Sequence, residues 1–291
     1  MSTQITTAFV QQYKDNVMLL VQQKGSRLRG STLEENVTGE NAYFEQIGAT
    51  AARRVNERHG DSPLMNTPHK RRRVSLVDYD WGDLIDKPDR VRTLVNFDSP
   101  YVQNAGFAMG RGIDQEIIMA FFAVAYTGKE GTTQVNFPAG QQIAANFGGA
   151  TSGLTVEKLR EARKKLRANN VDMTEKFHIA VTAIQMDNLL GTTQVTSQDF
   201  NTVKALVQGD VNTFMGFDFK HTELLELDTN SHRRIPAWAT SGMGLAIGQE
   251  PMSRIVERAD KRFATYVYYC MTIGATRVEE EKVVEIKCAE S

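Results

Sequence analysis

The chain has 291 residues, 41% hydrophobic and 24% charged, with 34 Lys and Arg against 35 Asp and Glu for a formal net charge of −1. A chain this long can bury roughly 75% of its unfolded surface, as one large domain or two interleaved ones. The near-neutral balance argues against a protein whose main task is coating DNA, because such proteins are usually basic.

Cys270 and Cys288 lack metal-ligand spacing and are too few for a disulfide framework, which fits a reducing compartment. The polar stretch from Met1 to Thr7 puts no basic region ahead of an apolar core, so no signal peptide is expected. The longest apolar patch, Ile117 to Tyr126, is too short to span a bilayer.

In chain order, Ile5, Phe9, Tyr13, Val17, Leu20 and Lys24 fall at spacings of three and four, predicting an amphipathic helix over 4–24 with Gly25 as its stop. Such a helix docks either on its own domain or on a neighbour. Residues 31–78 read as a long hairpin: strand-like material from Asn36 to Val55 and from Arg73 to Tyr79 flanks a polar tip containing Gly60, Pro63 and Pro68. Arg53, Arg54, Arg58, Lys70, Arg71, Arg72 and Arg73 crowd this hairpin, and the sign then flips at Asp78, Asp80, Asp83, Asp86 and Asp89. Two readings are open: two solvated charged faces, or the basic hairpin of one copy lying on the acidic segment of the next. A two-stranded projection is marginal in water and needs a partner surface.

Residues 99–127 give the strongest helix signal. Ser99 can cap it, Pro100 suits its first turn, Gly128 stops it, and Val102, Ala105, Met109, Ile113, Ile117, Ala120 and Val124 form an apolar stripe. Gly106, Gly110 and Gly112 weaken this helix and suggest a bend or a close backbone approach. The second half reads as mixed α/β. A helix over 155–169 buries Val156, Leu159, Ala162 and Leu166 and carries a basic face of Lys158, Arg160, Arg163, Lys164, Lys165 and Arg167. A strand spans 177–184 with Phe177, Ile179 and Val181 on one face, and another helix spans 197–207. Further strands are read at 214–219, 235–247, 263–273 and 282–288, with no linker or internal repeat.

Chemistry-bearing motifs are missing from this pattern. The five histidines form no zinc spacing, Gly148 to Gly153 contains no GxxxxGK[ST], and Thr240-Ser241-Gly242-Met243-Gly244 lacks the leading glycine of a nucleophile elbow. No catalytic residue, metal or cofactor is assigned. The run from His69 to Arg73 has no interleaved aromatic for base stacking, so protein contact is the preferred reading, with loose DNA contact as the alternative. The basic face of 155–169 is either a solvated helix face or a DNA contact.

The order of these parts, together with the phrases 38–48 (TGENAYFEQIG), 110–118 (GRGIDQEII) and 274–278 (GATRV), resembles the major capsid proteins of tailed bacteriophages over essentially the whole chain. The resemblance implies an α+β fold of the Hong Kong 97 type. Residues 1–35 would be an N-terminal arm, 36–78 an E-loop, 79–130 a peripheral domain with a spine helix, 131–254 an axial domain, and 255–291 a return to the peripheral domain. It also implies a non-enzymatic subunit of pentamers and hexamers, assembled in the bacterial host cytoplasm into a virion capsid. Its partners would be a scaffolding protein, a portal and non-specifically held double-stranded DNA, with no membrane and no cofactor. Arg53, Arg54, Arg58 and Lys70 to Arg73 opposite Asp78, Asp80 and Asp83 of another copy are the expected interface, and Gly106, Gly110 and Gly112 the expected bend during expansion. An encapsulin-like compartment and a DNA-binding protein using the basic hairpin are the rival readings.

Overall fold

The structure, a computed structural model, describes residues 22–54, 56, 64–85, 98–191 and 213–290. Strands β1 (Leu33–Asn36), β2 (Asn41–Ile47), β3 (His69–Ser75) and β4 (Val77–Ile85) precede helix α1 (Asp98–Phe122). Short strands β5 (Ala125–Thr127), β6 (Thr133–Val135) and β7 (Gln142–Ile143) follow. Helix α2 (Val156–Ala168), strand β8 (Phe177–Val181) and helix α3 (Ala183–Leu190) come next. The chain closes with β9 (Thr213–Phe214), β10 (Phe217–His221), β11 (His232–Ala239), β12 (Met243–Arg258), β13 (Ala264–Arg277) and β14 (Val283–Ala289). Of the helix predicted over 4–24, only 22–24 are described and these are not helical; the helix predicted over 197–207 lies outside the described residues.

Three sheets organise these elements. One has the order β1-β12-β13-β4, the second β7-β14-β11-β8-β10-β9, and the third β2-β3-β5-β6. The expected division at residue 254 is not a boundary between sheets. Strand β12 runs across it and pairs with β13 along nearly its whole length, while β14 sits between β7 and β11 in the six-stranded sheet. Long-range pairing of this kind has no local sequence signal, because a strand's partner is chosen by which apolar face must be covered.

The core joins both halves of the chain. Met109, Ile113, Ile117 and Phe121 of α1 cluster with Trp238, Ile235, Val283 and Ile286 of the six-stranded sheet and with Leu245, Met271 and Ile273 of β12 and β13. Trp238 is fully buried, its ring centroid 4.7 Å from that of Phe121, and its indole N–H donates to the Ser31 carbonyl at 2.8 Å. That bond satisfies the one polar atom of the largest buried side chain. Strand β8 lies between β11 and β10 and is buried on both faces, so His178 and Ala180 are covered as well as the alternating set predicted for it.

Helix α2 starts as its sequence dictates. The Thr155 side chain accepts a hydrogen bond from the Lys158 amide at 3.3 Å, Glu157 lies in the first turn, and Lys165 and Arg167 lie in the last. Helix α1 ends at Phe122, five residues short of the predicted 127. Residues 125–127 pair instead with β3 and β6.

Candidate interaction surfaces

Strands β2 and β3 form the base of the hairpin, and their register sorts its charges. Phe44 pairs with Arg72 and Ala42 with Val74, while Tyr43 pairs with Arg73 and Glu45 with Arg71. Directly opposed residues share a face, so Arg72 goes to the buried side with Phe44 and Val74. It is 5% exposed, donates to the Val278 carbonyl at 3.1 Å, and pairs with Glu280 at 2.8 Å. Arg71 and Arg73 go to the other side. Arg71 pairs with Glu45 at 2.6 Å and stacks over Tyr43 at 5.1 Å, while Arg73 stacks over Tyr126 at 4.9 Å. The three arginines therefore have partners within their own chain, and Arg72 is committed to the interior. Lys70, Arg53 and Arg54 are exposed; Arg58 lies outside the described residues.

The aspartates are sorted by the same alternation. Asp78 and Asp80 are exposed on β4, and Asp78 accepts from the Thr272 hydroxyl at 2.6 Å. Asp83 falls in step with Tyr79, Trp81 and Ile85, which pack inward, and accepts from the Leu84 amide at 2.8 Å. The structure thus places Asp83 on the opposite face of β4 from Asp78 and Asp80. Asp86 and Asp89 lie outside the described residues.

The three spine-helix glycines also differ. A Cβ at Gly110 would lie 2.4–2.6 Å from backbone atoms of Gly25 and Ser26, so this position permits the close approach of the preceding segment. A Cβ at Gly112 would meet the Met271 methyl at 3.0 Å, and one at Gly106 would meet nothing within 4 Å.

Several structural residues were not singled out from the sequence. Asp114 is fully buried and accepts hydrogen bonds from the side chains of Gln23 and Ser26 and from the amides of Arg27 (2.9 Å) and Leu28 (3.0 Å). One turn away, Arg111 donates to the Gln22 side chain at 2.8 Å and the Gln23 carbonyl at 3.2 Å. Both residues belong to the phrase 110–118, which therefore encodes the clamp that holds residues 22–28 against α1.

Arg277, in the phrase 274–278, is also fully buried. It donates to the carbonyls of Phe121 (2.8 Å), Ala123 (3.0 Å) and Val135 (3.3 Å) and lies 5.1 Å from the Phe137 ring. Burial lowers its pKa, Glu280 opposes that shift, and Arg72 adds to it. Such a guanidinium caps the C-terminal carbonyls of α1 where charge complements the helix dipole.

Lys158 was expected on the basic face of α2. The structure corrects this: the residue is fully buried, and its Nζ lies 2.7–3.1 Å from the carbonyl oxygens of Ala145, Ser152, Gly153 and Lys287. Desolvation lowers its pKa. The glycine-rich stretch ahead of α2 is thereby anchored to α2 and β14.

Among the described residues, no three His, Cys, Asp or Glu side chains group so as to hold a metal, and no helix is long and apolar enough to cross a membrane. Exposed apolar side chains among the described residues include Ile47 at the end of β2, Leu64, and Ile255, Val256 and Phe263 on the outer part of β12 and the turn to β13.

A phage capsid protein family model matches residues 5–290. This chain belongs to the phage capsid protein family. Its fold is that of the capsid of cyanophage P-SCSP1u, with a TM-score of 0.74 at 14% identity over 98% of this chain and 94% of the other. The capsid of Ralstonia phage GP4 gives a TM-score of 0.71 at 11% identity, over 97% and 95% of the two chains. The capsid of a native GTA particle gives 0.69 at 10% identity, over 96% and 95%. No curated protein matches the sequence. The α+β fold is the Hong Kong 97 type expected from the sequence, and the family member is a structural virion protein.

Proposed function

We propose that this chain is a shell subunit that assembles with copies of itself, as pentamers and hexamers, into an icosahedral phage head enclosing double-stranded DNA. One observation carries the reading: the phage capsid protein family model matches residues 5–290, and strands of this chain bear exposed apolar side chains such as Ile47 and Ile255. Exposed apolar side chains and open strand edges of this kind gain stability when another surface covers them. The work of the subunit is burial of shared surface, with no chemistry asked of any side chain.

In this reading residues 1–35 are the arm and 36–78 the E-loop. The sheet of β4, β12 and β13 with α1 forms the peripheral domain, and the six-stranded sheet with α2 and α3 the axial domain. The hairpin of one copy lies along β4 of the next, where Arg53, Arg54, Lys70 and the outer side of Arg71 meet Asp78 and Asp80. Arg72 and Arg73 hold the hairpin base in shape, and Arg58 is a further proposed contact. The segment Gly106 to Gly112 is where α1 changes curvature as the shell expands; equal helix curvature in immature and mature shells would rule this out. A scaffolding protein and a portal are further partners, and assembly takes place in the bacterial cytoplasm.

The test is electron microscopy with light scattering on the protein expressed alone and with a scaffolding partner. Closed shells, or rings of five and six, are expected. A monomer or dimer that persists with the scaffold present overturns the reading, and shells that hold enzyme cargo in place of DNA would reassign it to an encapsulin-like compartment.

A further inference from the structure

Helix α2 has six cations against two carboxylates in 13 residues, within a chain of net charge −1. Two of the six do not line the groove that runs along this helix. Lys158 is enclosed by carbonyls, and Lys165 reaches back to the Gly140 carbonyl at 2.6 Å. The other four, Arg160, Arg163, Lys164 and Arg167, stand at spacings of three and four, away from the buried Leu159, Ala162 and Leu166. They form a stripe about 10 Å long. The stripe lines a groove of about 900 Å³ whose other side includes Phe147, Gly148 and Met215.

The groove is charged beyond what its own carboxylates offset. Glu161 pairs with Lys164 at 3.3 Å, while Arg160 and Arg167 are exposed. Arg163 donates to the Met215 carbonyl and leaves its Nε buried without a hydrogen-bond partner. Burial, and after it the adjacent Arg167, lower the pKa of Arg163.

We infer that the groove along α2 is a phosphate-backbone contact for double-stranded DNA. The charge stripe and groove favour phosphates, and among the described residues Phe147 is the one aromatic on the groove, too few for a base-stacking platform. The contact is therefore blind to base sequence. The inference rests on the reading of the chain as a DNA-enclosing shell subunit.

The test uses the full chain with the exposed residues substituted together, R160Q/K164Q/R167Q; Arg163 is kept because it bonds Met215. Binding to a random-sequence duplex is followed by fluorescence anisotropy over a salt series, and shell formation by microscopy. The wild type should bind, and the variant should bind at least about tenfold more weakly at low salt, with the log–log salt slope reduced by about 2 to 3. The variant should still form shells. Equal affinity and slope in the two proteins, or no DNA binding by the wild type, overturns the inference while leaving the shell reading intact. Loss of shells with unchanged DNA binding also overturns it, and shows that this face meets another copy. Failure of the wild type to form shells under any condition strikes the shell reading itself.

Discussion

Arg277 shows how one side chain holds distant parts of this fold together. Its guanidinium binds carbonyls at the end of α1 and on β6 while Glu280 stands between it and Arg72. R277A would leave those carbonyls without their donor in the interior, and the expected loss is about 3–5 kcal/mol in denaturant unfolding of the subunit. R277K should recover only part, since an ammonium cannot span the same acceptors. A loss under about 1 kcal/mol would show that water replaces the guanidinium. His178 offers a pH-dependent counterpart. Its Nε2 lies 3.0 Å from the Thr240 hydroxyl and its Nδ1 3.3 Å from Asp218, which Lys220 pairs at 2.9 Å; Trp238 flanks the ring and Lys176 adds positive charge. Burial, partly opposed by Asp218, lowers the histidine pKa below its ordinary value. The unfolded chain then takes up the proton first as pH falls. The stabilisation is full above about pH 6.5 and is lost as pH drops through the folded-state value. Thermal unfolding from pH 7 downwards should show this loss, and H178Q should show less of it. Parallel curves would exclude the histidine as its source.

At the scale of elements, α1 and the hairpin carry the clearest expectations. A methyl group at position 106 meets open space, so G106A should stabilise the subunit by about 1 kcal/mol through helix propensity. G110A drives a carbon into the backbone of Gly25 and Ser26 and should release the segment clamped by Asp114, seen as new proteolysis within 22–28. If the two variants behave alike, the close approach has no energetic consequence. For the hairpin, R72E should destabilise the monomer, because it faces Glu280 and the Val278 carbonyl. D78K/D80K should leave a folded monomer that forms no shells; normal shells from that variant would exclude β4 as the docking strand. The apolar stripe of α1 and the cap and charges of α2 were legible because helical order is local. The sorting of Arg71, Arg72 and Arg73 was not, because three consecutive strand residues alternate between faces and only the register with β2 says which one turns inward.

For the molecule as a whole, the sequence determined what depends on near neighbours: the α+β class, the long helix, the basic hairpin followed by acidic β4, and, through a few phrases, the capsid family. It left undecided which strands distant along the chain pair with one another. Strand β1 runs parallel to β12, and β14 inserts between β7 and β11, pairings that close only when the shared core forms. It left equally undecided which polar residues the interior would take. Lys158, Asp114 and Arg277 look like surface residues along the chain, and each is buried because acceptors or donors from separate segments converge on it. Charge and periodicity are properties of neighbouring residues, whereas satisfying a buried charge depends on groups that only tertiary contact brings within hydrogen-bond reach.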